Sequence, residues 1–118
     1  MLPNVIYIVL ILLLTNSLRV VPLEHSPILG ERAQARAQYL CDHDQWSHAG
    51  WHESFRGITT GHYGENLARG FKGDPVQVVL AWHASPSHLK NIVNKVYRYT
   101  GVGYACDITV QLFTEKLQ

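Results

Sequence analysis

Residues 101–107 and 108–113 each alternate in polarity with a period of two and are separated by almost nothing. Two such stretches in succession predict an antiparallel β-hairpin at the carboxyl end. With 118 residues, 47% of them apolar and including three Trp, six Tyr and three Phe, the chain has material for one core and hardly two. A single domain is expected, with helices packed on the terminal hairpin.

Helices are signalled upstream. Residues 31–40 are rich in strong helix formers, Ala33, Ala37 and Leu40 fall on one face, and Pro27 suits a first turn. A helix over about 27–41 follows. Asp74-Pro75-Val76-Gln77 predicts a second start, with Asp74 capping free amides and Gln77 reaching back. Val78, Val79 and Trp82 give this helix its apolar face, and Pro86 forces Ser85 out of helical geometry, so it should end near Ala84. Ser87 is then placed to cap a short third helix through residues 88–93. Residues 42–64 have no sustained period and read as an ordered coil carrying His48.

A formal net charge of +1, with no Lys/Arg cluster, makes nucleic acid a poor candidate partner. Residues 5–14 form an unbroken apolar run, with no charged side chain before Arg19. Ten residues fall short of the roughly 20 that span hydrocarbon and suit the apolar part of a signal peptide. No Lys or Arg precedes the run, however, and Thr15-Asn16-Ser17 is a poor cleavage site. The segment 1–15 is therefore read as leader, anchor or buried first helix ahead of a domain over 16–118. Residues 2–14 offer a membrane contact, and the location expected is secreted or membrane-anchored, outside the cell. Cys41 and Cys106 are an even number, and two readings stand: a bridge closing most of the domain, or two small apolar thiols in the core.

Seven histidines, at 25, 43, 48, 52, 62, 83 and 88, are the compositional outlier and suit chemistry near neutral pH. His48, Gly64-Glu65-Asn66 and the stretch from Ser85 through His88 and Asn91 suggest a polar cleft. His48, His88 and Glu65 match the ligand set of an open Zn2+ or other divalent cation site with water in the fourth position. The His-Glu-x-x-His spacing is absent, so only folding would unite them. A metal-free reading takes His48 or His88 as a base oriented by Glu65, with Ser47, Ser85 or Ser87 as nucleophile, though no Gly-x-Ser-x-Gly elbow is present. Structural roles stand beside these. Glu65 and Asn66 would cap a segment at 67–69, and Asn91 and His88 would satisfy buried backbone. Trp46, Trp51 and Trp82 are read as core before sugar platform, and the other five histidines as surface or partly buried.

In order, the pieces Asn16-x-x-Arg19, Pro22-Leu23-x-x-Ser26-Pro27-x-Leu29, Ala33-x-x-Arg36-Ala37, Trp46-Ser47-His48, Gly64-Glu65-Asn66-Leu67-Ala68-x-Gly70, Trp82-x-x-Ser85-Pro86-x-His88-x-x-Asn91-Ile92, Gly101-Val-Gly-Tyr104 and Val110-Gln111-x-Phe113 run over most of the chain. Together they resemble the CAP superfamily, also called SCP-like, of cysteine-rich secretory, antigen 5 and pathogenesis-related proteins. The compact bacterial and phage-borne members are most alike. The resemblance implies an α+β fold, a three-layer α-β-α sandwich, with a cleft lined by two histidines and acidic residues at positions 48, 65 and 88. Ser85 stands where animal and plant members usually have a second glutamate, Leu89 where the bacterial pattern often has Arg, and no Gly follows Phe113. The expected function is an extracellular, non-catalytic binding or interaction module. Its cleft would take a divalent cation or a small apolar, lipid-like ligand, an idea the resemblance alone supplies. The alternative is a metal-assisted or serine-type hydrolase acting on peptide or envelope material.

Overall fold

The computed structural model describes residues 4–118. Its helices are α1 (Asn4–Asn16), α2 (Pro27–Asp42), α3 (Pro75–His83) and α4 (Pro86–Val93). Its strands are β1 (Glu24–His25), β2 (Thr59–Arg69), β3 (Tyr99–Ala105) and β4 (Ile108–Leu117). The sheet runs β1-β3-β4-β2, with β1 parallel to β3 and the other pairs antiparallel.

Alternation along the strands decides the layers, because successive side chains point to opposite faces. From β4, Ile108, Val110 and Leu112 meet Leu29, Ala33, Ala37 and Leu40 of α2. On the other face, Val102, Tyr104 and Phe113 join Tyr7 and Ile11 of α1, Val78, Val79 and Trp82 of α3, and Ile92 of α4. The result is the three-layer α-β-α sandwich expected from the sequence, with one helix on one face and three on the other. Burial on both faces explains why β3 and β4 carry long runs of buried residues.

Contact between α2 and β3 is made backbone to backbone. A β-carbon at Gly103 would lie 2.3 Å from the Gln34 amide nitrogen, and one at Gly101 2.2 Å from that of Gly30. Rigid backbone cannot yield as a flexible side chain does, so Gly103→Ala is expected to destabilise by about 3 kcal/mol. Chemical denaturation checks this, and a loss under about 1 kcal/mol would mean that α2 lifts off freely.

Local signals act as read in most places. The Asp74 side chain accepts from the Val76 and Gln77 amides with Pro75 at the first helical position, but the Gln77 side chain does not reach back, and the Asp74 amide donates instead to the Phe71 carbonyl. Pro27 opens α2 as expected, and Ser26, not singled out as a cap from the sequence, caps it by accepting from the Leu29 amide. Two further expectations change. The cap residue of α4 is Ser85, not Ser87, because Pro86 occupies the first helical position and pushes Ser85 into extended geometry. Residues 42–64 are not wholly coil: they hold a 3-10 turn, Trp51–Phe55, and the start of β2. Strand β2 escapes notice because its first half is polar and exposed, its register with β4 shifts between Thr60 and Tyr63, and its second half is buried on both faces.

The apolar segment 1–15 enters the core as α1, apart from residues 1–3, which lie outside the described residues. Tyr7, Ile11 and Thr15 are buried. The Tyr7 hydroxyl pairs with Thr109 Oγ1 at 2.6 Å, and Gln111 Nε2 donates to Thr15 Oγ1 at 3.2 Å. The Asn16-x-x-Arg19 piece is a clamp. Asn16 exchanges two hydrogen bonds with the Leu23 backbone, and the Arg19 guanidinium donates to the carbonyls of Val21, Ile92, Asn94 and Tyr97.

Cys41, near the end of α2, and Cys106, in the β3–β4 turn, form a disulfide with Cα atoms 5.7 Å apart. Cys106 and Asp107 both have positive φ, 52° and 61°, the geometry of a type I′ hairpin turn usually filled by Asn-Gly. Asp107 secures it: Oδ1 accepts from the Tyr104 hydroxyl and the Gly73 amide, and Oδ2 from the Lys72 amide. Burial, aided by that carboxylate, pushes the Tyr104 phenol up to about 12, so it remains a donor.

Candidate functional site

Edge strand β2 organises the site. Neighbouring residues on a strand face opposite ways, so Glu65 and Asn66 serve different layers. Glu65 points to the α2 side, where its Oε2 accepts from Arg36 Nε at 3.0 Å and its Oε1 from His48 Nδ1 at 2.8 Å. Both partners of the Arg36–Glu65 ion pair are buried, with side chains 5% and 1% exposed, whereas the His48 side chain is 56% exposed. Arg36 also donates to the Ser47 carbonyl, which holds the His48 loop against α2.

Asn66 points to the α4 side. Its amide donates to the His88 carbonyl at 3.0 Å, and Asn91 Nδ2 donates to Asn66 Oδ1 and to the Glu65 carbonyl. These two amides staple α4 to β2. His88, in the first turn of α4, pairs through Nδ1 with Ser85 Oγ at 2.8 Å, and its ring lies parallel to Trp82 with centroids 6.4 Å apart. Ser85 therefore orients His88. His48 is thus held by Glu65 on the α2 side of β2, and His88 sits on the α4 side.

Glu65 and Asn66 do not cap a segment at 67–69, since both lie within β2. Trp82 is core and Trp51 packs partly buried beside Phe55 and Tyr63, but Trp46 is 44% exposed, with the Arg69 guanidinium over its ring. A loop residue on the outer side of an edge strand has no second layer to bury it.

His48, Glu65 and His88 are not assembled as a three-ligand cation site in this arrangement. Both Glu65 oxygens are engaged, and among the described residues no three His, Cys, Asp or Glu side chains are grouped to hold a metal ion. A serine triad is also incomplete: Ser85 meets His88, but the carboxylate orients the other histidine. Among the described residues, neither Nε2 of His48 nor that of His88 has a hydrogen-bond partner, so both remain available to a ligand.

Arg36 is the residue whose role the sequence reading missed. A signal existed: Ala33, Arg36, Ala37 and Leu40 share one helix face, and a cation on an apolar face requires a buried counter-charge.

Burial lowers the His88 pKa below its usual 6.5, and the charge of His48 acts in the same direction. The unfolded chain therefore takes up a proton more readily than the folded one. The stability contributed by neutral His88 is complete above about 6.5 and is lost as pH falls through the lower folded value. Denaturation midpoints should fall on acidification, and His88→Gln should flatten that slope; an unchanged slope would assign the effect elsewhere.

A family model described as the cysteine-rich secretory protein family, CAP, matches residues 16–113. YkwD, an uncharacterized protein of Bacillus subtilis, is 36% identical over 91 residues, covering 70% of this chain. The chain spans only 35% of that relative's length. Among solved structures, an extracellular SCP-domain protein from Bacillus anthracis superimposes with a TM-score of 0.84 at 23% identity, over 96% of this chain and 41% of its own. A cysteine-rich secretory protein from Staphylococcus aureus gives 0.87 at 18% identity, over 96% and 39%. An outer surface protein of Borrelia burgdorferi gives 0.73 at 25% identity, over 95% and 90%. These structures share the sandwich, and the family model covers most of the chain, including His48, Glu65 and His88. This chain belongs to the cysteine-rich secretory protein (CAP) family.

Proposed function

We propose that the protein is an extracellular, non-catalytic binding module whose ligand is met by the imidazole edges of His48 and His88. One observation carries this reading: each ring is anchored through Nδ1, His48 on Glu65 and His88 on Ser85, while each Nε2 is left without a protein partner among the described residues. With Nδ1–H donated to the carboxylate, a neutral His48 presents Nε2 as an acceptor. Such an edge suits a small ligand carrying a donor such as an amide N–H. An extracellular location is supported by the disulfide, which persists in oxidising compartments. The printed descriptions of the Bacillus anthracis and Borrelia burgdorferi proteins, extracellular and outer surface, point the same way.

The test is a chemical-shift titration of the imidazole resonances with a panel of tripeptides. The expected result is a saturable shift at both rings, lost in His48→Ala and in His88→Ala; shifts that survive both substitutions would reject the cleft. The Ser85–His88 contact keeps a hydrolase as the second reading. Peptide or ester turnover abolished by Ser85→Ala would replace the binding role.

A further inference from the structure

Helix α1 has no charged side chain and no polar face, and only part of it is covered. Tyr7, Ile11 and Thr15 turn inward, whereas Val5, Val9 and Leu13, spaced four apart, lie outward with exposures of 73%, 45% and 61%. Ile6 adds to this stripe. Helix α3 packs beside α1 and exposes its own apolar pair at the same spacing, Val76 and Leu80, at 47% and 55%. Single exposed apolar residues are ordinary on a soluble surface, but stripes at helical spacing on two helices in contact are the kind of feature that marks an interaction site.

Charge identifies what fits the patch. Helices α1, α3 and α4 contain no Asp or Glu. Residues 4–23 and 70–98, which build this layer and its loops, hold five of the ten Lys and Arg: Arg19, Lys72, Lys90, Lys95 and Arg98. They hold one of the nine acidic residues, Asp74, which is occupied in capping α3. The other eight acidic residues lie in the remainder of the chain, two of them, Glu24 and Asp107, beside this layer at its two ends; on the layer itself the cations exceed the single carboxylate. The cations flank α1 at both ends. Lys72 shares a pocket with Asn4 and with Asp107, whose carboxylate is held in the β3–β4 turn, and Lys95 and Arg98 line a groove with Val20, Val21 and the single carboxylate Glu24 just beyond the carboxyl end of the helix.

We infer that the α1–α3 face is a docking surface for an anionic lipid bilayer, lying in the headgroup region without crossing it. An apolar stripe between basic residues is the pattern of an interfacial helix, in which buried apolar area and attraction to anionic headgroups act together. Crossing is excluded for the described helices, none of which is long and apolar enough; thirteen residues reach about 20 Å, short of a core of about 30 Å. This placement does not depend on the ligand of the histidine cleft.

The experiment is sedimentation of the full chain with vesicles of phosphatidylcholine and phosphatidylglycerol in equal parts, and with phosphatidylcholine alone. Binding is expected to the anionic vesicles, to weaken with added salt, and to be slight on the neutral ones. Val9→Glu, Leu13→Glu and Leu80→Glu, all at exposed positions, should each weaken binding by about tenfold or more, and Lys95→Ala and Arg98→Ala by about fivefold each. Hydrogen exchange on the wild-type protein, read as added protection of α1 and α3 by anionic vesicles, keeps the test independent of the variants' folding. Failure to bind the anionic vesicles, or binding indifferent to the three glutamate substitutions, would overturn the inference. A concentration-dependent dimer dissociated by those substitutions would also overturn it, assigning the face to a second copy of the chain.

Discussion

Glu65→Gln is expected to lower stability by about 3–5 kcal/mol, because it leaves the buried guanidinium of Arg36 without its counter-charge. The carboxylate is almost wholly enclosed and accepts from Arg36 on one oxygen and His48 on the other. Glutamine fills the same volume but offers one carbonyl oxygen where two acceptors are required. Its NH2 group must then face a donor or displace one. For a domain of this size the melting temperature should fall by about 10–20 °C. Arg36→Met combined with Glu65→Leu should recover much of the loss, since replacing both members of a buried ion pair with apolar groups is often close to neutral. His48→Ala should cost under about 1 kcal/mol because that ring is largely in solvent. A loss under about 1 kcal/mol for Glu65→Gln would show that water, not Glu65, compensates Arg36.

Removing the disulfide by Cys41→Ser and Cys106→Ser should cost about 4 kcal/mol. The bridge joins residues 65 positions apart, and by the chain-entropy model a loop of that length gives about this much. A local effect is added, since the bridge also pins a hairpin turn whose two central residues are non-glycine and left-handed. Urea denaturation would show a lower midpoint, and hydrogen exchange should quicken first at the β3–β4 turn and the end of α2. A loss near zero would mean that Asp107 alone holds the turn and that the unfolded chain is hardly constrained by the link.

Much of the fold is legible locally. Asp74-Pro75 announces α3 because capping is a contact between neighbours in sequence, and Pro86 separates α3 from α4 by its own ring geometry. The hairpin is legible because its turn contains only two residues. Strand β2 is not, since its pairing partner lies some fifty residues away in β4. Of the site, His48, Glu65 and His88 are named by resemblance to a family and Asn91 satisfies backbone as read, donating to the Glu65 carbonyl, but Ser85 and Asn66 change character in three dimensions. Ser85 orients a ring, and the two asparagines bind helix to strand.

The sequence by itself determined where α2 and α3 begin and end, that the carboxyl end folds back on itself, and which polar residues were candidates for a site, because each of these depends on residues within a few positions of one another. Tertiary structure alone decided that Glu65 is paired with Arg36 and that the thiols meet. It also decided that the apolar amino-terminal segment has one side in the core and the other in the open. Those outcomes depend on which face of a strand or helix is turned toward which layer, and that is fixed only when distant segments pack.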